Sequence, residues 1–227
     1  MLDIILLISL PFWGACLGGV IAMKWKNNRN LQPLVLAFSG AFLLSITIFE
    51  LLPRVYTSFA FQPGYWIILG ILLQIVLEYF SKGVEHGHAH APQTNRFPHL
   101  IWLSLGIHAL IEGIPLMESP QLAVGLAIHK IPISIALYSL LLHSYPQAHP
   151  TNLFGFILLF ALFTPIGSIL GFFLDGSEKI ILPIIAVVIG ILLHIATTIL
   201  FESNEGHRLQ RNKLIIILIG FLLGSLL

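Results

Sequence analysis

The chain alternates long apolar runs with short polar breaks. The runs fall near 2–22, 33–52, 64–81, 99–117, 121–142, 152–174, 180–201 and 212–227. Each is close to the roughly 20 residues that a helix needs to cross a hydrocarbon core about 30 Å thick. Backbone N–H and C=O groups meet no water at that depth, so runs of this kind are expected to be helices. The expected fold class is all-α: an integral membrane protein of eight transmembrane helices in a single domain, residues 1–227, with a polar loop at 82–98.

Composition agrees with the pattern. Of the 227 residues 57 % are hydrophobic and 9 % charged, with a mean hydropathy of +0.94. A soluble surface usually carries about a quarter charged residues. The basic residues are spread over short connections and make no patch for nucleic acid. A lone cysteine, Cys16, excludes an internal disulfide. The first run carries Asp3 and no basic leader, so it reads as a span and not as a cleaved signal.

The odd-numbered connections hold Lys24, Lys26, Arg29, Lys82, Arg96, Arg208, Arg211 and Lys213, whereas the even-numbered ones hold Arg54 and Lys179. The positive-inside rule then places the odd loops in the cytoplasm and both termini outside a cell membrane. Trp13, Trp25, Trp66, Trp102, Tyr56, Tyr65 and Tyr145 fall toward run ends, as interfacial anchors do. The pairs Gly14/Gly18, Gly167/Gly171 and Gly220/Gly224 suit close helix packing, inside the chain or between two copies.

Against this background the ionisable residues inside spans stand out, because each is costly to place in hydrocarbon unless it meets a partner, water or an ion. His108 and Glu112 are four apart and share one helix face. His129 and Lys130 follow in the next run, after a four-residue external link from Glu118 to Gln121 that makes spans four and five an antiparallel hairpin. His108 lies about ten residues into its span and His129 about nine into the next, so at 1.5 Å per residue both reach the same mid-membrane depth. Two imidazoles and a carboxylate form a three-ligand set for Zn²⁺ or a neighbouring divalent ion, with room for water. Lys130 beside it is a fixed counter-charge for Glu112. The competing interpretation of His108 and Glu112 is a buried hydrogen-bonded pair that holds helices together.

Further along the same path, Glu50 ends the second span and Glu202 the seventh, each after a phenylalanine. Acidic groups at opposite mouths would concentrate cations on either side of a central site. The paired endings hint at an inverted arrangement of spans 1–3 and 6–8 around the 4–5 hairpin. His194 is expected to line the inner half of that path. Pro132 and Pro165 are expected to kink their helices and free carbonyls beside a cavity. The third connection carries His86, His88 and His90, alternating imidazoles able to hold a divalent ion weakly on the cytoplasmic side.

At these residues the chain resembles the ZIP (Zrt-/Irt-like) divalent metal transporters, over all eight spans. The family pattern in the fourth span, roughly His-Asn-x-x-(Asp/Glu)-Gly, is met by His108, Glu112 and Gly113, with Ala109 for the asparagine. In the fifth, roughly His-Glu-x-Pro-Glu, His129 and Pro132 match, while Lys130 and Ile133 stand at the two carboxylate positions. Thr164-Pro165 stands where the sixth span of the family often has Glu-Pro. The resemblance implies transport of zinc, or of Fe²⁺, Mn²⁺ or Cd²⁺, toward the cytoplasm, commonly by a homodimer and without catalysis. The departures remove the ligands of the family's second metal and spare His108, Glu112 and His129. A mononuclear site is therefore expected, with Lys130 in the place of the second ion. Two rival readings are a non-transporting membrane metal sensor and an intramembrane zinc hydrolase. The latter lacks the general base and second histidine of His-Glu-x-x-His, since His129 is followed by Lys130-Ile131-Pro132-Ile133.

Overall fold

The computed structural model describes residues 2–24, 32–58, 62–86, 97–174, 178–202 and 211–227. Every regular element among them is helical: α1 (Leu2–Lys24), α2 (Gln32–Ile46), α3 (Leu52–Ser58), α4 (Gly64–Ser81), α5 (His99–Gly113), α6 (Pro120–Ser144), α7 (Pro150–Leu174), α8 (Glu178–Glu202) and α9 (Arg211–Ser225). Seven of the resulting rods are long and apolar enough to cross a membrane. The eighth apolar run is helical too, but α9 has 15 residues, about 22 Å at 1.5 Å per residue.

Two of the rods are irregular, each for a local reason. α2 passes into α3 through one π-helical turn, Thr47–Leu51, in which the N–H of Leu52 bonds back to the carbonyl of Thr47. Pro53 follows directly and has no N–H to continue the regular ladder. α5 tightens into a 3-10 turn, Ile114–Glu118, with Pro115 near its start. Ser119 alone then separates the two arms of the hairpin. Its extended backbone and its Oγ, which accepts from the Leu122 N–H at 3.2 Å, start α6 with Pro120 in the first turn. Pro132 and Pro165 both lie inside continuous helices, as do Pro11 and Pro183.

Helices pack in pairs where small residues let backbones touch. A Cβ on Gly14 or Gly18 would lie 2.1 or 2.3 Å from the Ala127 or Ile131 carbonyl oxygen, so α1 is seated directly on α6. Gly167 and Gly171 seat α7 on the Leu110 and Ile114 carbonyls of the α5 rod in the same way. Gly220 and Gly224 seat α9 on α2, where Ser45 Oγ also donates to the Phe221 carbonyl at 3.0 Å. Gly70 and Gly190 bring α4 against α8. All three glycine pairs noted in the sequence are thus used inside the chain. The pairing is reciprocal: α1 lies on α6 as α7 lies on α5, and α2 lies on α9 as α8 lies on α4.

Two apolar cores flank the middle of the bundle. One gathers Leu43, Leu51, Leu116, Leu122, Leu126 and Ile189; the other gathers Leu105, Ala109, Ile133, Leu137, Leu140 and Phe160. On α6 the two cores are divided between Leu126 and Ile133, the stretch that carries His129 and Lys130. Trp13, Tyr56, Tyr65 and Trp66 are exposed, as anchors would be, whereas Trp102 packs into the second core against Phe163. Trp25 lies outside the described residues.

Candidate metal centre

α5 supplies His108 and Glu112 from successive turns, and α6 supplies His129 and Lys130 from adjacent positions. All four side chains are buried, although each is ionisable. They lie between the two apolar cores, at the stretch of α6 that separates them. His108, Glu112 and His129 each offer a ligand atom within 4.8 Å of the others. The structure thus brings together the three side chains that the hairpin was expected to face toward one another.

The geometry inside the group is specific. His108 Nε2 lies 3.0 Å from Glu112 Oε1, yet the two atoms are not aligned as a hydrogen bond. Two ligands bonded to one ion at about 2.0–2.1 Å in a tetrahedral arrangement sit about 3.3 Å apart, so this pair converges on a common point in the way that metal ligands do. Glu112 Oε2 points the other way and accepts from Lys130 Nζ at 2.7 Å. The ammonium also lies 5.4 Å from the centre of the Phe160 ring, whose face favours a cation. One carboxylate thus divides its two oxygens between a prospective ion and a tethered cation.

Two further polar groups stand behind His108. Its Nδ1 meets Gln74 Oε1 at 3.2 Å, and Gln74 Nε2 donates to Glu85 Oε2 at 3.2 Å. Both Gln74 and Glu85 are fully buried. Gln74 was hidden because a single amide in an apolar run carries no periodic signal. The sequence predicts a polar loop from residue 82 onward, but the Val84–His86 turn is folded against the helices.

The remaining candidates are dispersed. His194 on α8 meets Glu78 Oε2 on α4 at 2.6 Å, and both are partly exposed. Glu78 lies four residues after Gln74 on the same helix face, a spacing that could have revealed it. Glu50 is half-buried in the π-helical turn. Thr164 is buried on α7, its backbone carbonyl against Gly113 of α5. At the hairpin tip Arg54 of α3 clasps Glu118 through both its side chain and its carbonyl. Glu202 ends α8, but its side chain, that of His86, and His88 and His90 altogether lie outside the described residues.

No family model matches the chain. It is similar to Protein zntD of Dictyostelium discoideum. The two are 29 % identical over 165 residues, which cover 62 % of this chain and 24 % of that protein. The chain thus spans about a quarter of the length of this relative.

In chemical terms the centre offers two imidazole nitrogens and one carboxylate oxygen, a borderline donor set that suits zinc and its first-row neighbours. Three protein ligands leave a fourth position open, which a water or a passing ion's remaining shell can fill.

Proposed function

We propose that the protein is a divalent metal ion transporter of the ZIP type, with zinc as its first substrate, moving the ion toward the cytoplasm across a cell membrane. The single observation that carries this reading is the convergence of His108, Glu112 and His129 midway along a bundle of apolar helices. Ionisable groups at that depth are costly unless they serve an ion or proton path. The ion enters from the Glu50 side, exchanges part of its water for the three ligands, and leaves toward Thr164, His194 and Glu202.

Only one ion fits. Lys130 holds its ammonium 2.7 Å from the second Glu112 oxygen, where a further metal would otherwise be neutralised. The site alternates between Lys130 alone and Lys130 plus one ion, so its charge rises by two on loading. His86, His88 and His90 take up the released ion weakly. The eight helices form two inverted triplets, spans 1–3 and 6–8, around the 4–5 hairpin. In support, exchanging the triplets and the hairpin arms maps the α1–α6 contact onto α7–α5 and the α2–α9 contact onto α8–α4. Rocking of one triplet against the other opens each mouth in turn. A homodimer is the assembly that the family resemblance implies.

A second reading is a sensor that binds metal without moving it. It is favoured by the same Lys130–Glu112 pair, a buried ion pair that a cation must disturb to enter. Zinc uptake into sealed vesicles carrying the purified protein separates the two. Flux in the parent that is lost in His108→Ala and Glu112→Ala supports transport through this centre. A parent that binds zinc and moves none, with flux appearing in Lys130→Ala, establishes the sensor.

A further inference from the structure

We propose that Gln74 and Glu85 form a positioning relay that holds His108 in the tautomer able to bind a metal ion. The inference rests on the reading of His108, Glu112 and His129 as an ion site and adds two residues to it. Its starting point is an unusual turn. After α4, Lys82 takes a left-handed conformation (φ 55°) and Gly83 follows at φ 70°. Only Gly83 adopts such a backbone without penalty; for Lys82 it is strained. The reversal folds the next residues back against the bundle, with Val84 sealed in an apolar core and Glu85 fully buried beside α4. A glutamate beginning a polar loop would ordinarily be solvated, so its burial calls for a reason.

The hydrogen-bonding inventory supplies one. Gln74 donates from its Nε2 to Glu85 Oε2, which fixes the amide with its nitrogen toward Glu85. That turns the Gln74 carbonyl toward His108, and a carbonyl only accepts. His108 Nδ1, at 3.2 Å, must then carry the ring proton. A neutral imidazole has a single N–H, so Nε2 is left with its lone pair. Nε2 is the atom that converges on Glu112 Oε1 without a hydrogen bond. Direction thus passes from a buried carboxyl group through one amide to the metal-facing nitrogen. Without Glu85 the Gln74 amide is free to turn over and offer an N–H to Nδ1, which places the ring proton on Nε2, in the ion's position. Neither Gln74 nor Glu85 touches the ion; both act through His108.

The test is zinc affinity of the full-length protein, measured by competition with a chromophoric chelator, in a cycle of parent, Gln74→Leu, His108→Ala and the double variant. The relay requires Gln74→Leu to weaken zinc about 10–100-fold in the parent background and to have almost no effect when His108 is already absent. Equal weakening in both backgrounds overturns the relay and leaves the metal centre standing. Zinc binding by His108→Ala at the parent's level overturns the centre and the relay together. Glu85→Gln, nearly identical in shape, covers the case in which Gln74→Leu fails to fold. It is expected to weaken zinc in the parent background alone, and an unchanged affinity counts against the relay. Nitrogen-15 spectra of the zinc-loaded parent, with the His108 signals assigned by their loss in His108→Ala, give a readout independent of affinity. A protonated Nδ1 and a metal-bound Nε2 are expected; metal on Nδ1 overturns the proposal.

Discussion

Lys130 and Glu112 meet at 2.7 Å inside a centre that is closed to solvent, and the second Glu112 oxygen lies 3.0 Å from His108 Nε2. The lysine therefore has two opposed effects. It neutralises a buried carboxylate, and it repels any ion that shares that carboxylate. Removing one partner of such a pair typically costs about 3–5 kcal/mol because the other charge is left uncompensated. In Lys130→Met the empty protein is expected to melt lower than the parent. Zinc is expected to bind more tightly and to raise the melting temperature by more than it does in the parent. Thermal unfolding with and without zinc checks both signs, and a variant that gains nothing from zinc argues against a shared carboxylate.

Glu112→Gln keeps the shape of the side chain and removes its charge. It is expected to lower zinc affinity by at least tenfold and to abolish vesicle uptake, since the ion loses its only anionic ligand in the centre. Direct zinc titration and flux, measured on the same preparation, test this. Uptake equal to the parent's would exclude Glu112 as a ligand.

Helix seating offers a test away from the centre. A Cβ on Gly167 would lie 2.0 Å from the Leu110 carbonyl oxygen, backbone that cannot move aside without shifting the α5 rod that carries His108 and Glu112. Gly167→Ala is expected to destabilise by about 1–3 kcal/mol, as overpacking does, and to weaken zinc binding as well. Gly155 has open space where its Cβ would be, so Gly155→Ala on the same helix is the control and should be neutral or slightly stabilising. Unfolding midpoints of the two variants decide the matter.

Arg54 and Glu118 tie α3 to the hairpin tip at the surface of the bundle, with the arginine side chain 32 % exposed. A pair so placed contributes at most about 1 kcal/mol. Arg54→Ala is expected to leave the melting temperature nearly unchanged. Under the proposed rocking, in which the hairpin tip moves against α3 near Glu50, it is expected to alter the transport rate. A rate identical to the parent's would show that this contact does not restrain opening.

Acidification should weaken zinc binding, because an imidazole must give up its proton before it can ligate. With two histidines among its ligands, the ion is expected to be held less tightly as the medium is acidified. In His129→Ala the fall should be shallower, since one fewer proton is displaced. Zinc titrations at several pH values in both proteins check the slope.

The sequence by itself determined the helices and the meeting of His108, Glu112 and His129. Apolar run length sets where a chain can lie in hydrocarbon, and a link as short as Glu118 to Gln121 leaves the two hairpin arms no option but to lie side by side. It also showed which residues were out of place, since an ionisable group within an apolar run is visible without coordinates. Tertiary structure alone decided the rest. That Lys130 turns to Glu112, that Gln74 and Glu85 stand behind His108, that Glu78 partners His194, and that the glycine pairs seat helices of the same chain all depend on contacts between distant segments. Such contacts are set by helix rotation and close packing, which leave no periodic trace in a run that is apolar on every side.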